Sequence, residues 1–198
     1  MPMRVAVCIS GRGSNLQALL EALGPEAPAQ IVLVLSNSAK AGGLDLARSR
    51  GIPAVVLADH RDGDEMLGWL ARNRVDLLVL AGYLKMIPPG VVERYRGRII
   101  NIHPALLPAF GGPGMYGGRV HQAVLAAGAA ESGATVHLVD EEYDRGEILA
   151  QGRVPVLPDD TAQSLAARVL TVEHRLLPAV VLAAARAGRP VPLNQPAE

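Results

Sequence analysis

The segment Asn101-Ile102-His103-Pro104 carries residue types suited to polar catalysis. Asparagine supplies a carboxamide N–H, and histidine an imidazole whose charge changes near neutral pH. On an extended chain residues two apart project to one side, so Asn101 and His103 can face a common substrate. Pro104 restricts the backbone of His103, and Pro108 stiffens the loop beyond it. Farther along, Asp144 stands in Asp140-Glu141-Glu142-Tyr143-Asp144-Arg145-Gly146, where Arg145-Gly146 is a turn signal able to fix a carboxylate. An aspartate folded over the histidine is expected to favour the imidazolium and raise its pKa. By residue type alone, His103 reads equally as a hydrogen-bonded structural histidine, and Glu141 and Glu142 as a solvated turn.

A second constellation is Ser10-Gly11-Arg12-Gly13-Ser14-Asn15. Its glycines permit a tight strand-to-helix turn, Ser14 or Asn15 can cap the helix, and the open amides of a first helical turn favour an anion. The alternative is an ordinary turn. A dinucleotide fingerprint would place a third glycine at Leu16 and end the second strand in a carboxylate, where Ser36-Asn37 stand instead. No P-loop lysine follows Gly13. A monophosphate suits the loop best.

The elements that must position these residues alternate in the first half of the chain. Short β-branched or leucine-rich runs at 5–9, 31–35, 54–57, 77–81 and 98–102 predict strands, and amphipathic stretches at 16–23, 44–50 and 65–72 predict helices between them. That is the pattern of a parallel sheet with crossover helices. A glycine- and proline-rich loop follows at 104–118, then a helix at 120–127. Strands at 135–139 and 148–156 are joined by a turn too short for a parallel crossover, so they should pair antiparallel. A long helix at 161–187 carries Pro178, where a kink or break is expected, and a polar tail follows Gly188. The expected fold is α/β: a single-domain, three-layer sandwich on a mostly parallel, Rossmann-like sheet with an antiparallel strand in its C-terminal half. One domain at 1–188 and a tail at 189–198 account for the chain.

Nineteen Lys and Arg balance nineteen Asp and Glu, so no global field draws the chain to nucleic acid or an anionic membrane. An anionic ligand must be held locally. The single cysteine, Cys8, excludes an internal disulfide framework. With no signal-peptide pattern and no apolar run long enough to span a bilayer, a cytoplasmic protein is expected. His60, His121, His137 and His174 read as structural or surface residues, show no metal-ligand spacing, and leave no metal expected.

Four segments together resemble the phosphoribosylglycinamide formyltransferase family of folate-dependent enzymes. They are Ile9-Ser10-Gly11-Arg12-Gly13-Ser14-Asn15-Leu16-Gln17, Leu80-Ala81-Gly82-Tyr83-Leu84-Lys85-Met86-Ile87, Asn101-Ile102-His103-Pro104-Ala105-Leu106-Leu107-Pro108, and Thr135-Val136-His137-Leu138-Val139-Asp140 with Asp144-Arg145-Gly146. The resemblance implies transfer of a formyl group from 10-formyltetrahydrofolate, as co-substrate, to the amine of glycinamide ribonucleotide. It makes Asn101, His103 and Asp144 the catalytic group. Gly13, Ser14 and Asn15 fall to the substrate phosphate, and Glu173 to the ribose hydroxyls. Leu84, Lys85, Met86 and Ile87 match the segment that binds the pteridine, with Asn101 and Asp140 beside it and Arg61 near the glutamate tail. Leu170 stands where the family usually has a polar residue, so part of the ribose contact is expected to be absent or supplied elsewhere. The 110–118 loop is expected to be mobile over the site.

The partners implied are two small molecules, with no nucleic acid or membrane, on a monomer or homodimer. A hydrolase using water as acceptor and an initiator-tRNA formyltransferase share the Asn-Ile-His-Pro segment. The chain length and charge balance are expected to leave no room for the regulatory domain of the first or the RNA-binding domain of the second. A folate- or nucleotide-binding module without turnover is the reading from another class.

Overall fold

A computed structural model describes residues 1–193. In chain order the elements are β1 (Met3–Ile9), α1 (Ser14–Ala22), β2 (Ala29–Ser36), α2 (Gly43–Ser49), β3 (Ala54–Val56), α3 (Gly63–Arg72) and β4 (Leu77–Leu80). They continue with α4 (Pro89–Arg94), β5 (Ile99–His103), α5 (Gly118–Ala126), β6 (Glu131–Leu138), β7 (Ile148–Pro155) and α6 (Ala162–Ala187). The seven strands form one sheet in the order β3-β2-β1-β4-β5-β6-β7. β1 to β5 run parallel, whereas β6 pairs antiparallel with both β5 and β7.

The order of strands decides where a ligand can sit. From β1 the chain winds outward through β2 and β3, then returns to lay β4 on the other side of β1. The loops leaving β1 and β4 therefore diverge, and a crevice opens between them at the carboxyl ends of the strands. The strands below are fully buried: Val5, Ala6, Val7, Cys8 and Ile9 expose nothing, as continuous apolar runs covered on both faces must. One face packs against α1, α2, α5 and α6, with Ile100, Ile102 and Val136 pointing into that layer. The other packs against α3 and α4 around Met66, Leu70, Val91 and Tyr95. This is the expected three-layer sandwich.

Several local expectations change. α4 was not expected from the sequence: it is a short helix that begins on Pro88-Pro89, a proline at N1 being compatible with a first turn that needs no donor. α6 runs through Pro178 without a break, with the proline buried in the helix interior. β6 begins at Glu131, ahead of its apolar run, because it pairs along its length with β7. Neither Ser14 nor Asn15 caps α1: the N-cap is Gly13, in a left-handed conformation at φ 81°, with no side-chain cap. A Cβ at Gly13 would lie 2.7 Å from the Cα of Gly43, so the loop and the start of α2 can approach only through glycine. Past α6, Leu193 donates its N–H to the Leu149 carbonyl at 2.8 Å and packs on the core, while 194–198 of the expected tail lie outside the described residues. Among the described residues no helix is long and apolar enough to cross a membrane.

Candidate active site

The loop after β1 is held open toward the crevice. Gln17 N–H returns to Gly13 O, and with no side-chain cap the amides before it in the first turn of α1 have no partner within the helix. Beneath them the Asn15 side chain, 6% exposed, donates Nδ2 to Glu173 Oε2 at 2.7 Å, which joins α1 to α6. Burial pushes the Glu173 carboxyl above its usual range, with the Asn15 bond opposing. Asn15 Oδ1 is buried without a partner. The loop after β4 is tied to the same place: Leu84 N–H donates to Ser10 Oγ at 2.8 Å, and that hydroxyl donates to Asn37 Oδ1 at 2.5 Å.

At the end of β5 the sheet register assembles the polar cluster. Asn101 lies opposite His137, and His103 opposite Thr135, so four side chains share one face while Ile100, Ile102 and Val136 take the other. Asn101 Nδ2 lies 3.1 Å from His137 Nε2. His137 Nδ1–H donates to the Leu138 carbonyl at 2.7 Å, which leaves Nε2 facing Asn101. The Thr135 hydroxyl donates to Ala105 O at 2.6 Å and accepts from Leu107 N at 3.0 Å, anchoring the loop that follows His103.

Asp144 does fold over the strand end. Its Oδ2 lies 3.6 Å from His103 Nδ1 and its Oδ1 3.5 Å from His137 Nε2, and it accepts the Gly112 N–H at 2.9 Å. The hairpin reaches this position through two backbone features. Asp144 itself has φ 56°, a left-handed conformation that aspartate tolerates better than most residues. At Gly146 any Cβ would run into the Leu138 carbonyl.

Asp144 does pull the His103 imidazole up as expected, yet the net shift runs the other way. Burial pushes the His103 imidazole below its ordinary value, outweighing the Asp144 charge and the Phe110 carbonyl, which both pull it up; the nearby His137 adds to the lowering. The imidazole is 3% exposed as a residue, and desolvation of the charged ring is the larger effect. Asp144 goes the other way from its own burial: burial raises it, but the bonds to His137 and Gly112 and the neighbouring imidazoles hold it below the usual carboxylate range. His103 Nε2–H donates to Phe110 O at 2.8 Å, so a neutral ring satisfies that carbonyl and only an imidazolium also offers an N–H to Asp144.

Both constellations open onto one cleft of about 780 Å³. Of the expected site residues it is lined by Gly13, Ser14, Asn15, Leu84, Lys85, Met86, Ile87, Asn101, His103, Asp140, Asp144 and Glu173. Arg61 is not brought to it: on the connection between β3 and α3 its guanidinium pairs with Asp59 at 3.0 Å. Two histidines read as structural prove to be cleft residues. His137 bridges Asn101 and Asp144, and its signal was the alternation of Thr135 and His137 against Val136 on one strand. His121 lines the wall from α5, buried, with Nδ1 lacking a partner and burial pushing its pKa down. The Phe110 carbonyl and Gly112 amide had no sequence signal, since any residue supplies them. Leu170 also lines the cleft, with Gln163 two turns earlier on α6 as a polar neighbour on the same wall. Among the described residues no group of three His, Cys, Asp or Glu is placed to hold a metal ion.

An anion-receptive helix start and a His–Asp cluster line one cleft at the switch point of an open α/β sheet, where proteins of this architecture bind their ligands. The chain belongs to the formyl transferase family, whose model matches residues 3–181. It is 46% identical over 186 residues to a chloroplastic phosphoribosylglycinamide formyltransferase of Arabidopsis thaliana, covering 90% of this chain but 64% of that protein. The chain thus spans less than two thirds of that relative. With the phosphoribosylglycinamide formyltransferase of Haemophilus influenzae it shares 40% over 185 residues, covering 90% of this chain and 85% of the relative. A crystal structure of phosphoribosylglycinamide formyltransferase from Brucella melitensis superposes with a TM-score of 0.85 at 45% identity, covering 93% of this chain and 96% of that one.

Proposed function

We propose that this chain moves the formyl group of 10-formyltetrahydrofolate onto the amine of glycinamide ribonucleotide, giving formylglycinamide ribonucleotide in purine synthesis, and that it acts in the cytoplasm. The observation that carries this is the common cleft: the open helix start and the Asn101–His103–Asp144 cluster line one cavity, as a phosphorylated acceptor and a formyl donor meeting there require.

In the proposed arrangement the substrate phosphate lies on the amides of Gly13, Ser14 and Asn15, and Glu173 takes the ribose hydroxyls. Leu84, Lys85, Met86 and Ile87 flank the pteridine with Asn101 and Asp140, and Arg61 answers the glutamate tail from outside the cleft wall. The neutral amine attacks the formyl carbon, and charge develops on the formyl oxygen. Asn101 keeps an N–H beyond the one aimed at His137, and His103 supplies the other donor. Preorganised donors of this type each lower the barrier by about 3 to 4 kcal/mol. The tetrahedral carbon then releases the folate nitrogen, which takes a proton as the amine loses one. Asp144 orients His103 and opposes the neutralising effect of burial, so a developing oxyanion tips the ring toward the charged, two-donor form.

A hydrolase would use the same cluster with water as acceptor. Offering 10-formyltetrahydrofolate with glycinamide ribonucleotide, water alone or charged initiator tRNA separates the readings. Turnover is expected only with the ribonucleotide, and equal release of tetrahydrofolate without it would overturn the proposal in favour of hydrolysis.

A further inference from the structure

The amides of α1 carry only a partial charge, about half a unit, whereas a phosphate monoester at neutral pH approaches two negative charges. Asn15 adds little: one N–H of its Nδ2 is bonded to Glu173 and its oxygen is an acceptor, so its side chain keeps a single uncharged N–H. The rest of the cleft offers an anion little, since Asp140, Asp144 and Glu173 line it without a Lys or Arg partner among the described residues. Of the two Lys and Arg side chains on its wall, Lys85 sits on the loop after β4, while Arg12 lies within the turn at the α1 start. Arg12 is exposed, and among the described residues no carboxylate pairs with it, unlike Arg96 and Arg145, which neutralise Glu141 and Glu142. The turn that carries it is fixed from behind, because Gly43 N–H donates to Gly11 O at 3.2 Å.

Building on the proposed acceptor, we infer that Arg12 is a direct ligand of the substrate phosphate and sets the preference for a phosphorylated over an unphosphorylated acceptor. Its planar fork matches two phosphate oxygens, which a lysine reproduces only as a point charge. The unpaired, solvent-facing state keeps the guanidinium available. Its exposure also places the expected effect at the low end for a charge-assisted contact, roughly tenfold in KM.

The test compares wild type with Arg12→Ala and Arg12→Lys. KM for glycinamide ribonucleotide is expected to rise about tenfold in the alanine variant and less in the lysine variant, with KM for the folate little changed. The salt dependence of the ribonucleotide KM should flatten when Arg12 is lost. Calorimetric binding of ribose 5-phosphate gives a readout independent of formyl transfer. Weaker binding to Arg12→Ala supports the inference even if the wild type fails to formylate the ribonucleotide, a result that would count only against the proposed reaction. Equal ribose 5-phosphate affinity and a ribonucleotide KM within twofold of wild type would overturn it.

Discussion

Replacing Asp144 by asparagine removes one charge and almost no volume. The left-handed backbone at Asp144 suits asparagine equally, and the new carboxamide oxygen can still accept the Gly112 N–H, so the fold should persist with a melting temperature within a few degrees of wild type. What disappears is the field on His103. At the 3.6 Å separation of His103 Nδ1 and Asp144 Oδ2, a unit charge pair in a medium of effective dielectric about 20 interacts by roughly 5 kcal/mol. The asparagine dipole retains part of that, leaving about 3 kcal/mol, or roughly a hundredfold in kcat. Burial already pushes His103 down and Asp144 is the largest opposing influence, so its imidazole must titrate still lower in the variant. The assay is steady-state formyl transfer near neutral pH, paired with NMR titration of the His103 ring. A folded variant with kcat within threefold of wild type, or an unmoved His103 titration, would refute the electrostatic role given to Asp144.

Two further outcomes follow from burial. His103, His121 and the partly exposed His174 are all pushed below the ordinary histidine value, so the unfolded chain takes up protons first as pH falls below about 6.5, and their stabilising contribution declines from there downward, by up to about 1.4 kcal/mol per pH unit for a buried group and by less for His174. Glu173 acts oppositely: its raised value gives a contribution present below the ordinary carboxylate range and lost as pH rises through the folded value. One group against three leaves a net loss, expected as a lower urea midpoint near pH 5.5 than near pH 7.5; an unchanged midpoint would contradict it. At Gly146, alanine drives a Cβ into the Leu138 carbonyl and must displace the hairpin that carries Asp144. Gly146→Ala should cost about 2 kcal/mol or more in chemical denaturation and lower transfer activity as well.

The parallel half of the fold was legible because strands buried on both faces must be continuously apolar, and 5–9 and 77–81 are. α4 was not, since six residues opening on two prolines present too little periodicity. The trio proposed as catalytic could be singled out by type: Asn101 and His103 share a strand face by spacing alone, and Asp144 precedes a turn signal. What lies between them was not. The partnership of His137 with Asn101 depends on the pairing register of β5 and β6, which no local pattern fixes. The sign of the His103 shift depends on how much water the folded chain excludes, a property of the assembled layers. Asn15 shows the same limit: residue type marks it as a possible helix cap, yet its carboxamide donates to Glu173, a partner that only the packing of α1 against α6 brings near.

The Phe110 carbonyl that holds His103 Nε2–H gives the resting cleft an internal surrogate for a reacting oxygen. A buried donor waiting in isolation would lose its hydration with no return; this one is already satisfied, aligned and dry. In the proposed reaction an arriving carbonyl oxygen exchanges places with one of its own kind, and the ring keeps a partner throughout while the Phe110 carbonyl gives its bond up. Selectivity then rests on the moment when the newcomer gains negative charge, something an amide oxygen of the loop can never do.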